Sequence, residues 1–375
     1  MKFLFIVQGE GRGHLTQAIA LEKMLRRNGH EVVEMLVGKN SYRRLPRFFR
    51  ESVQCPVRHF MSPNFTPPAK GGRISLVDSL LFNLRHLRSY ARSMRFIHSR
   101  ICESGADRVV NFYEVLCGLT YGFYRPSVPQ ICIGHQYLFL HPDFQAPAGH
   151  RFEMALLRGF TRLTSVGARE RFALSFHAMT NDTRQRLTVV PPLLREEVLR
   201  QRSGAGDYVL GYLLNPGFAE SVEAWHEVRP DTPLHFFWDK KDEPAVKVVD
   251  DTLTYYGLND ATFVREMAGC KAYACTAGFE SVCEAMYLGK PVMMVPAHIE
   301  QCCNAFDAQR NGAGIMADDF DVSRLLKFCT TYQPKPTFAA WVMSAESRIM
   351  SLIEADFYHV DVAALDERLL WEGSF

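Results

Sequence analysis

The chain is short of several things, and each absence excludes a class of function. Its 375 residues contain no uninterrupted run of about 20 apolar residues, the length a membrane-spanning helix needs. Charge of one sign is not in excess: 43 Lys and Arg against 41 Asp and Glu leave a formal net charge of +2, which gives no global case for nucleic acid. None of the ten cysteines falls in a Cys-x-x-Cys pair, so a structural zinc site is not expected. The apolar start Met1–Val7 is too short for a signal sequence, and polar Gln8 and Glu10 follow it. Reduced thiols and a cytoplasmic setting are therefore expected. A dinucleotide fingerprint is also missing. The glycines after the first apolar run stand at 9, 11 and 13, and His14 occupies the place where Gly-x-Gly-x-x-Gly needs its third glycine, which disfavours an NAD oxidoreductase.

What is present is alternation of apolar strands with amphipathic helices. At 47% apolar and 375 residues, two α/β domains are the expectation. Lys2–Val7 predicts a strand, Leu15–Asn28 a helix ended by Gly29, and Glu31–Val37 a second strand, which is a Rossmann-type opening. Further strands are predicted at 108–112, 128–133, 163–166 and 186–190. Residues 191–207 read as a connector, rich in Pro and then in Ser and Gly. A second unit of the same kind begins at Tyr208, with strands at 208–214 and 234–238, a short one at 261–264, and others at 271–275 and 292–295. The expected division is 1–198, 207–336 and a helical segment 337–375 that crosses back to the first domain.

The most informative stretch runs from Ala272 to Ile315. Thr276, Ala277 and Gly278 form a turn of small residues between a strand and a helix, and Gly289 stops that helix. Unpaired N–H groups and the helix dipole make such a turn an anion site, and a diphosphate fits there. Glu284, one turn into the helix, can accept both hydroxyls of a ribose. The segment Pro296–Gln301 places polar side chains at the carboxyl end of the sheet, where open α/β sheets bind ligands. Asn304-Ala305 is read as the opening of the next helix.

The pattern Thr276-x-Gly278-x-x-Ser281-x-x-Glu284-Ala285-x-x-x-Gly289-x-Pro291, followed by Pro296 and by Glu300-Gln301-x-x-Asn304-Ala305, resembles the donor site of GT-B glycosyltransferases. It is most similar to the branch related to the UDP-glycosyltransferases and the lipid-linked N-acetylglucosaminyltransferases. That resemblance implies two Rossmann-like domains facing a central cleft. It implies a diphosphate held by Thr276, Ala277, Gly278, Phe279, Glu280 and Ser281, the ribose by Glu284, and donor sugar hydroxyls by Glu300 and Gln301, with Asn304 closing the motif. The family's phosphate-binding histidine has no counterpart here, since Cys275, Thr276 and Ala277 stand in its region. Gly11 and Gly13 belong to a loop resembling the family's acceptor-side loop. Asn215 and Gly217 are candidates to touch donor from the second domain.

His14 is the candidate general base, since an imidazole can take a proton near neutral pH. Substrate positioning and simple helix capping are its alternatives. Glu114 is the expected carboxylate partner of His14, and His135 the rival base, with Gln136 another acceptor-side candidate. The implied reaction is inverting transfer from a UDP-sugar to a hydroxyl of a lipid, lipid-linked sugar or glycan. No cofactor or metal is expected, because fixed amides can stabilise the leaving diphosphate. A nucleotide-sugar 2-epimerase and a non-catalytic sugar-nucleotide-binding protein are the alternatives. The arginines of the 76–101 helix, beside its apolar stripe, suggest peripheral contact with anionic lipid at the inner face of a membrane. A core-facing helix with a solvated cationic outer face is the preferred reading of them, because the apolar stripe is also what packs against a sheet.

Overall fold

The computed structural model describes residues 1–39, 45–63, 85–213, 216–240 and 243–355. Asn215, the predicted helical residues 76–84 and the tail 356–375 lie outside them.

The run Phe3–Val7 is wholly buried, as a strand covered on both faces must be. This strand, β1 (Lys2–Gln8), leads into helix α1 (Arg12–Arg27) and then β2 (Glu31–Lys39), which pairs parallel to β1. Gly29, at φ 76°, makes the left-handed turn between helix and strand. Helix α2 (Arg47–Ser52) and strand β3 (Val57–Met61) follow. Next come α3 (Leu87–Glu103), β4 (Arg108–Phe112), α4 (Val115–Tyr124) and β5 (Gln130–Gly134). Helix α5 (Arg151–Thr164), β6 (Ala168–Leu174), β7 (Leu187–Val190) and the single turn α6 (Glu196–Leu199) complete this half. Its seven strands form one parallel sheet in the order β3-β2-β1-β4-β5-β6-β7.

The second sheet is built from β8 (Val209–Leu213), β9 (Leu234–Trp238), β10 (Val246–Val248), β11 (Leu253–Gly257), β12 (Ala272–Cys275), β13 (Val292–Met294) and β14 (Gly314–Met316). Their order is β10-β11-β9-β8-β12-β13-β14, and only the edge pair β10–β11 is antiparallel. The helices of this half are α7 (Ala219–Val228), α8 (Asp260–Gly269), α9 (Phe279–Tyr287), α10 (Ile299–Arg310), α11 (Val322–Cys329) and α12 (Pro336–Met343).

The strand order reverses at β1/β4 in the first sheet and at β8/β12 in the second. Such switch points open a crevice at the carboxyl ends of the strands. Helix α1 starts at the first of them and α9 at the second, and the two pack against each other. The apolar core is continuous across this junction: Phe279 of α9 lies 4.9 Å from Phe176, which in turn meets Phe338 of α12. The chain after the second sheet returns to the first. Trp341 donates its indole N–H to the Ser175 carbonyl at 2.9 Å, and Glu346 accepts from Arg27 and Asn28 of α1.

Several expectations are corrected. Leu163–Val166 is not a strand but the end of α5 and the turn after it; the strand is Ala168–Leu174, whose charged Arg169-Glu170-Arg171 hid it. Ala261–Val264 is not a strand, because Asn259 caps α8 there by accepting from the Thr262 N–H. Helix α10 begins at Ile299, five residues before Asn304. The one Asp-x-Asp spacing, Asp319 and Asp321, is spent on capping, with Asp321 accepting from the Ser323 N–H at the start of α11.

Candidate active site at the junction of the two sheets

His14 lies in the first turn of α1 and is 6% exposed. Its ring stacks on Tyr113, with centroids 5.7 Å apart and planes 25° apart. Two glutamine amides flank it. Gln17 Oε1 is 3.4 Å from His14 Nδ1, and Gln136 Nε2 is 3.4 Å from His14 Nε2. Each amide is also bonded to a carboxylate of the second half. Gln17 Nε2 donates to Glu280, and Gln136 Nε2 donates to Glu300 at 2.9 Å.

This arrangement fixes the imidazole's tautomer. A carboxylate accepts, so each glutamine must turn its NH2 toward its glutamate. Gln17 is left with its oxygen facing Nδ1, which requires a proton there. Gln136 presents an N–H to Nε2, which requires a lone pair there. With both glutamates ionised, both amides select the neutral Nδ1–H form. Burial lowers the His14 pKa below its ordinary value, opposed by the charge of Glu300 and the bond from Gln17, so the ring is neutral at pH 7. A lone pair on a neutral, oriented imidazole is what proton abstraction needs.

Glu114 is not the partner of His14. It caps α4: its Oε1 accepts from Ser62 at 2.7 Å and from the Leu116 N–H at 3.1 Å. Its other oxygen is buried without a partner among the described residues, and burial pushes its pKa up to about 7. The sequence placed a carboxylate in the correct neighbourhood but could not show that capping used it. His135 is placed differently again. Its Nδ1 donates to the Leu174 carbonyl at 2.7 Å, and its ring lies flat on Phe279 at 3.9 Å in the core between the halves. Burial lowers its pKa to about 4.

The second side of the site is the turn before α9. Thr276 and Ala277 are buried, and Ala277 has φ 59°. A left-handed alanine costs on the order of 1 kcal/mol. Asn304 Nδ2 holds the Ala277 carbonyl at 3.1 Å. Tyr113, at φ 60°, is the corresponding left-handed residue beyond β4. Strained backbone thus occurs on both sides of the junction, a recurrent property of functional sites. Gly278 caps α9 with no side-chain bond, Ser281 turns its hydroxyl back to the Gly278 carbonyl, and the Glu280 carboxylate accepts from its own N–H.

Gly11 is likewise an uncapped N-cap, of α1. Gly13 admits the Glu280 carboxylate, which any Cβ at that position would overlap. Gly217 is exposed in a turn after β8. Gln301 turns its Oε1 to the Ala297 N–H at 2.8 Å and fixes the loop after β13.

Glu284 is engaged from an unexpected direction. Arg195 grips it with two bonds of 2.7 and 2.8 Å, and its third nitrogen reaches Asp260 at 3.0 Å. Asp260 also pairs with Arg12. Burial alone would lower the Arg195 pKa, but Glu284 and Asp260 more than offset it and raise it. Breaking such a buried pair costs about 3–5 kcal/mol. Each Glu284 oxygen keeps a second lone pair, so hydroxyl donors can still be accepted beside Arg195. Sequence reasoning missed Gln17, Tyr113 and Arg195. Gln17 had one available signal, since it follows His14 at the i, i+3 helical spacing.

A profile of glycosyl transferase family 1 matches residues 1–332, and the chain belongs to that family. No curated protein is similar enough in sequence to match it. Among solved structures it is similar to Phytolacca americana UGT2 complexed with UDP-2fluoro-glucose and pterostilbene, with 14% identity, TM-score 0.64, and 95% of this chain and 99% of that one covered. It is also similar to the spinosyn rhamnosyltransferase SpnG complexed with thymidine diphosphate, with 13% identity, TM-score 0.55, and 94% and 96% covered. The fold is GT-B, and the protein is a glycosyltransferase.

The Glu114 carboxyl titrates at about 7 when folded against 4.5 when unfolded. The folded state therefore holds the extra proton, and stability falls as pH rises from 4.5 through 7. Glu114→Gln, which keeps the accepting oxygen, is expected to flatten the fall in apparent Tm between about pH 5 and 8. Differential scanning fluorimetry across that range checks it, and an unchanged slope refutes the assignment.

Proposed function

We propose that this protein is an inverting glycosyltransferase. It moves a sugar from a nucleoside diphosphate donor, a UDP-sugar foremost, to a hydroxyl of a lipid or glycan acceptor. The observation that carries this reading is the oriented lone pair on His14 Nε2, which faces Gln136 and, through it, Glu300 of α10. The plant neighbour's complex with UDP-2fluoro-glucose and the SpnG complex with thymidine diphosphate support the donor class.

In this reaction the acceptor oxygen attacks the anomeric carbon as the bond to the diphosphate breaks. His14 Nε2 takes the hydroxyl proton, after the acceptor displaces the Gln136 N–H from it. The imidazolium that forms faces the Gln136 amide bonded to Glu300, whose negative charge stabilises it. The departing diphosphate is met by the N–H groups of residues 276–281 and the dipole of α9. Glu284, beside Arg195, accepts the ribose hydroxyls, and Glu300 and Gln301 face the sugar. Fixed amides take the place of a divalent ion in this scheme.

His14→Ala is expected to lower kcat by about 10²–10⁴-fold while leaving donor affinity within a few-fold. Single-turnover assays with radiolabelled UDP-sugars, paired with donor titration, check it; retention of rate would return the base role to another group. Anomeric configuration of the product, read by NMR, tests inversion independently.

Glu280 adds a pH dependence. Its carboxyl stands in the first turn of α9, and burial pushes its pKa up to about 7. It is neutral below that pH and repels a diphosphate above it. Donor affinity is expected to weaken as pH rises through 7, and Glu280→Gln to remove most of that decline. Calorimetric titration with UDP on both sides of neutrality measures it, and identical pH profiles for the two proteins would contradict the placement.

A further inference from the structure

Among the described residues eleven large hydrophobic side chains are exposed, and six of them lie on three neighbouring helices. They are Leu87 on α3, Phe123 and Tyr124 at the end of α4, and Phe152, Leu156 and Leu163 on α5. Phe123 and Phe152 are 76% and 73% exposed. Helix α4 packs between α3 and α5, and His98 stacks on Tyr124 at 4.8 Å to tie the first two together. The residues on α5 are spaced by four and seven, which places them on one side of the helix. An aromatic exposed to this degree gains nothing for the fold, and six of the eleven exposed apolar groups fall on one helical layer.

Charge on the same layer is equally uneven. Arg85, Arg88, Arg92 and Arg95 are all exposed and recur at intervals of three, four and three, so they run as a stripe. Residues 85–102 contain no Asp or Glu. Arg125 follows Tyr124, and Arg151 and Arg162 flank the α5 residues, where exposed Glu153 is the opposing charge and pairs with His150 at 3.8 Å. The whole chain carries only +2, so the cationic layer reflects segregation and not general basicity.

We propose that the outer layer formed by α3, the end of α4 and α5 docks on an anionic phospholipid bilayer. Aromatic and leucine side chains enter the headgroup boundary while the arginine stripe pairs with lipid phosphates. A second copy of this chain fits less well, because a two-fold contact on this face would oppose two cationic stripes. The position suits the reading of the junction as a transferase site. Met154 of α5 touches Cys303 of α10, so the layer borders the cleft and a lipid-borne hydroxyl could enter from its edge. The docking itself needs no donor and no turnover, so it stands or falls apart from the catalytic reading.

Flotation with vesicles tests the proposal. The full chain is expected to float with an equimolar mixture of phosphatidylcholine and phosphatidylglycerol, to float poorly with phosphatidylcholine alone, and to be released by high salt. Arg88→Glu with Arg92→Glu should weaken binding by about twentyfold or more, at roughly fivefold per cationic side chain. Phe152→Ser with Leu156→Ser should weaken it without changing UDP-induced thermal shifts or circular dichroism, since both residues are exposed. Absence of binding to anionic vesicles overturns the proposal. So does equal binding to both vesicle types, or a dimer in light scattering that the serine variants dissociate.

Discussion

The junction of the two halves is organised around one buried imidazole. His14 sits between two amide side chains of its own half, and each amide is oriented by a glutamate of the other half. Neither half can specify the ring's tautomer alone. Gln17 without Glu280, or Gln136 without Glu300, is free to flip and present either end to the ring. Approach of the two halves therefore does more than shut out water: it assigns the imidazole proton to Nδ1 and frees Nε2.

The surrounding structure serves that closure. Gly13 has no side chain because the Glu280 carboxylate passes through the space one would fill. Phe279, the first residue of α9, is stacked on His135 within a core shared by both halves. Arg195 leaves the connector and grips Glu284 and Asp260, while Arg12 of α1 reaches Asp260 from the other side. The result is an alternating chain of four charges across the junction, in which each charge compensates its neighbours' loss of water. Left-handed Tyr113 and Ala277, one on each side, are held against their strain by the packing of His14 and by Asn304.

Much of this was legible in the sequence. The loop at Gly9–Gly13 and the turn at Thr276–Gly278 announced two strand-to-helix switch points. Together with the length and the likeness to GT-B glycosyltransferases, they led to the expectation of two Rossmann-like halves. What escaped was set by long-range partners. Glu114 reads as a carboxylate at a strand end whether it caps α4 or orients a histidine, and only the positions of Ser62 and the Leu116 N–H decide between them. Gln17 reads as an ordinary helix residue until Glu280, 263 positions away, is placed beside it. Ala261–Val264 looked extended because its apolar content is high and its capping signal, Asn259, is a single residue. Arg169 and Arg171 disguised a strand beside the sheet's edge, where polar side chains can reach solvent or the neighbouring turn.

The most direct test of the account is the protonation state of His14 itself, observed by 15N NMR of histidine-labelled protein and assigned by the signal lost in His14→Ala. The account predicts a neutral ring with the proton on Nδ1 and a pKa below the ordinary histidine value. A proton on Nε2, or titration at or above the ordinary value, would contradict it.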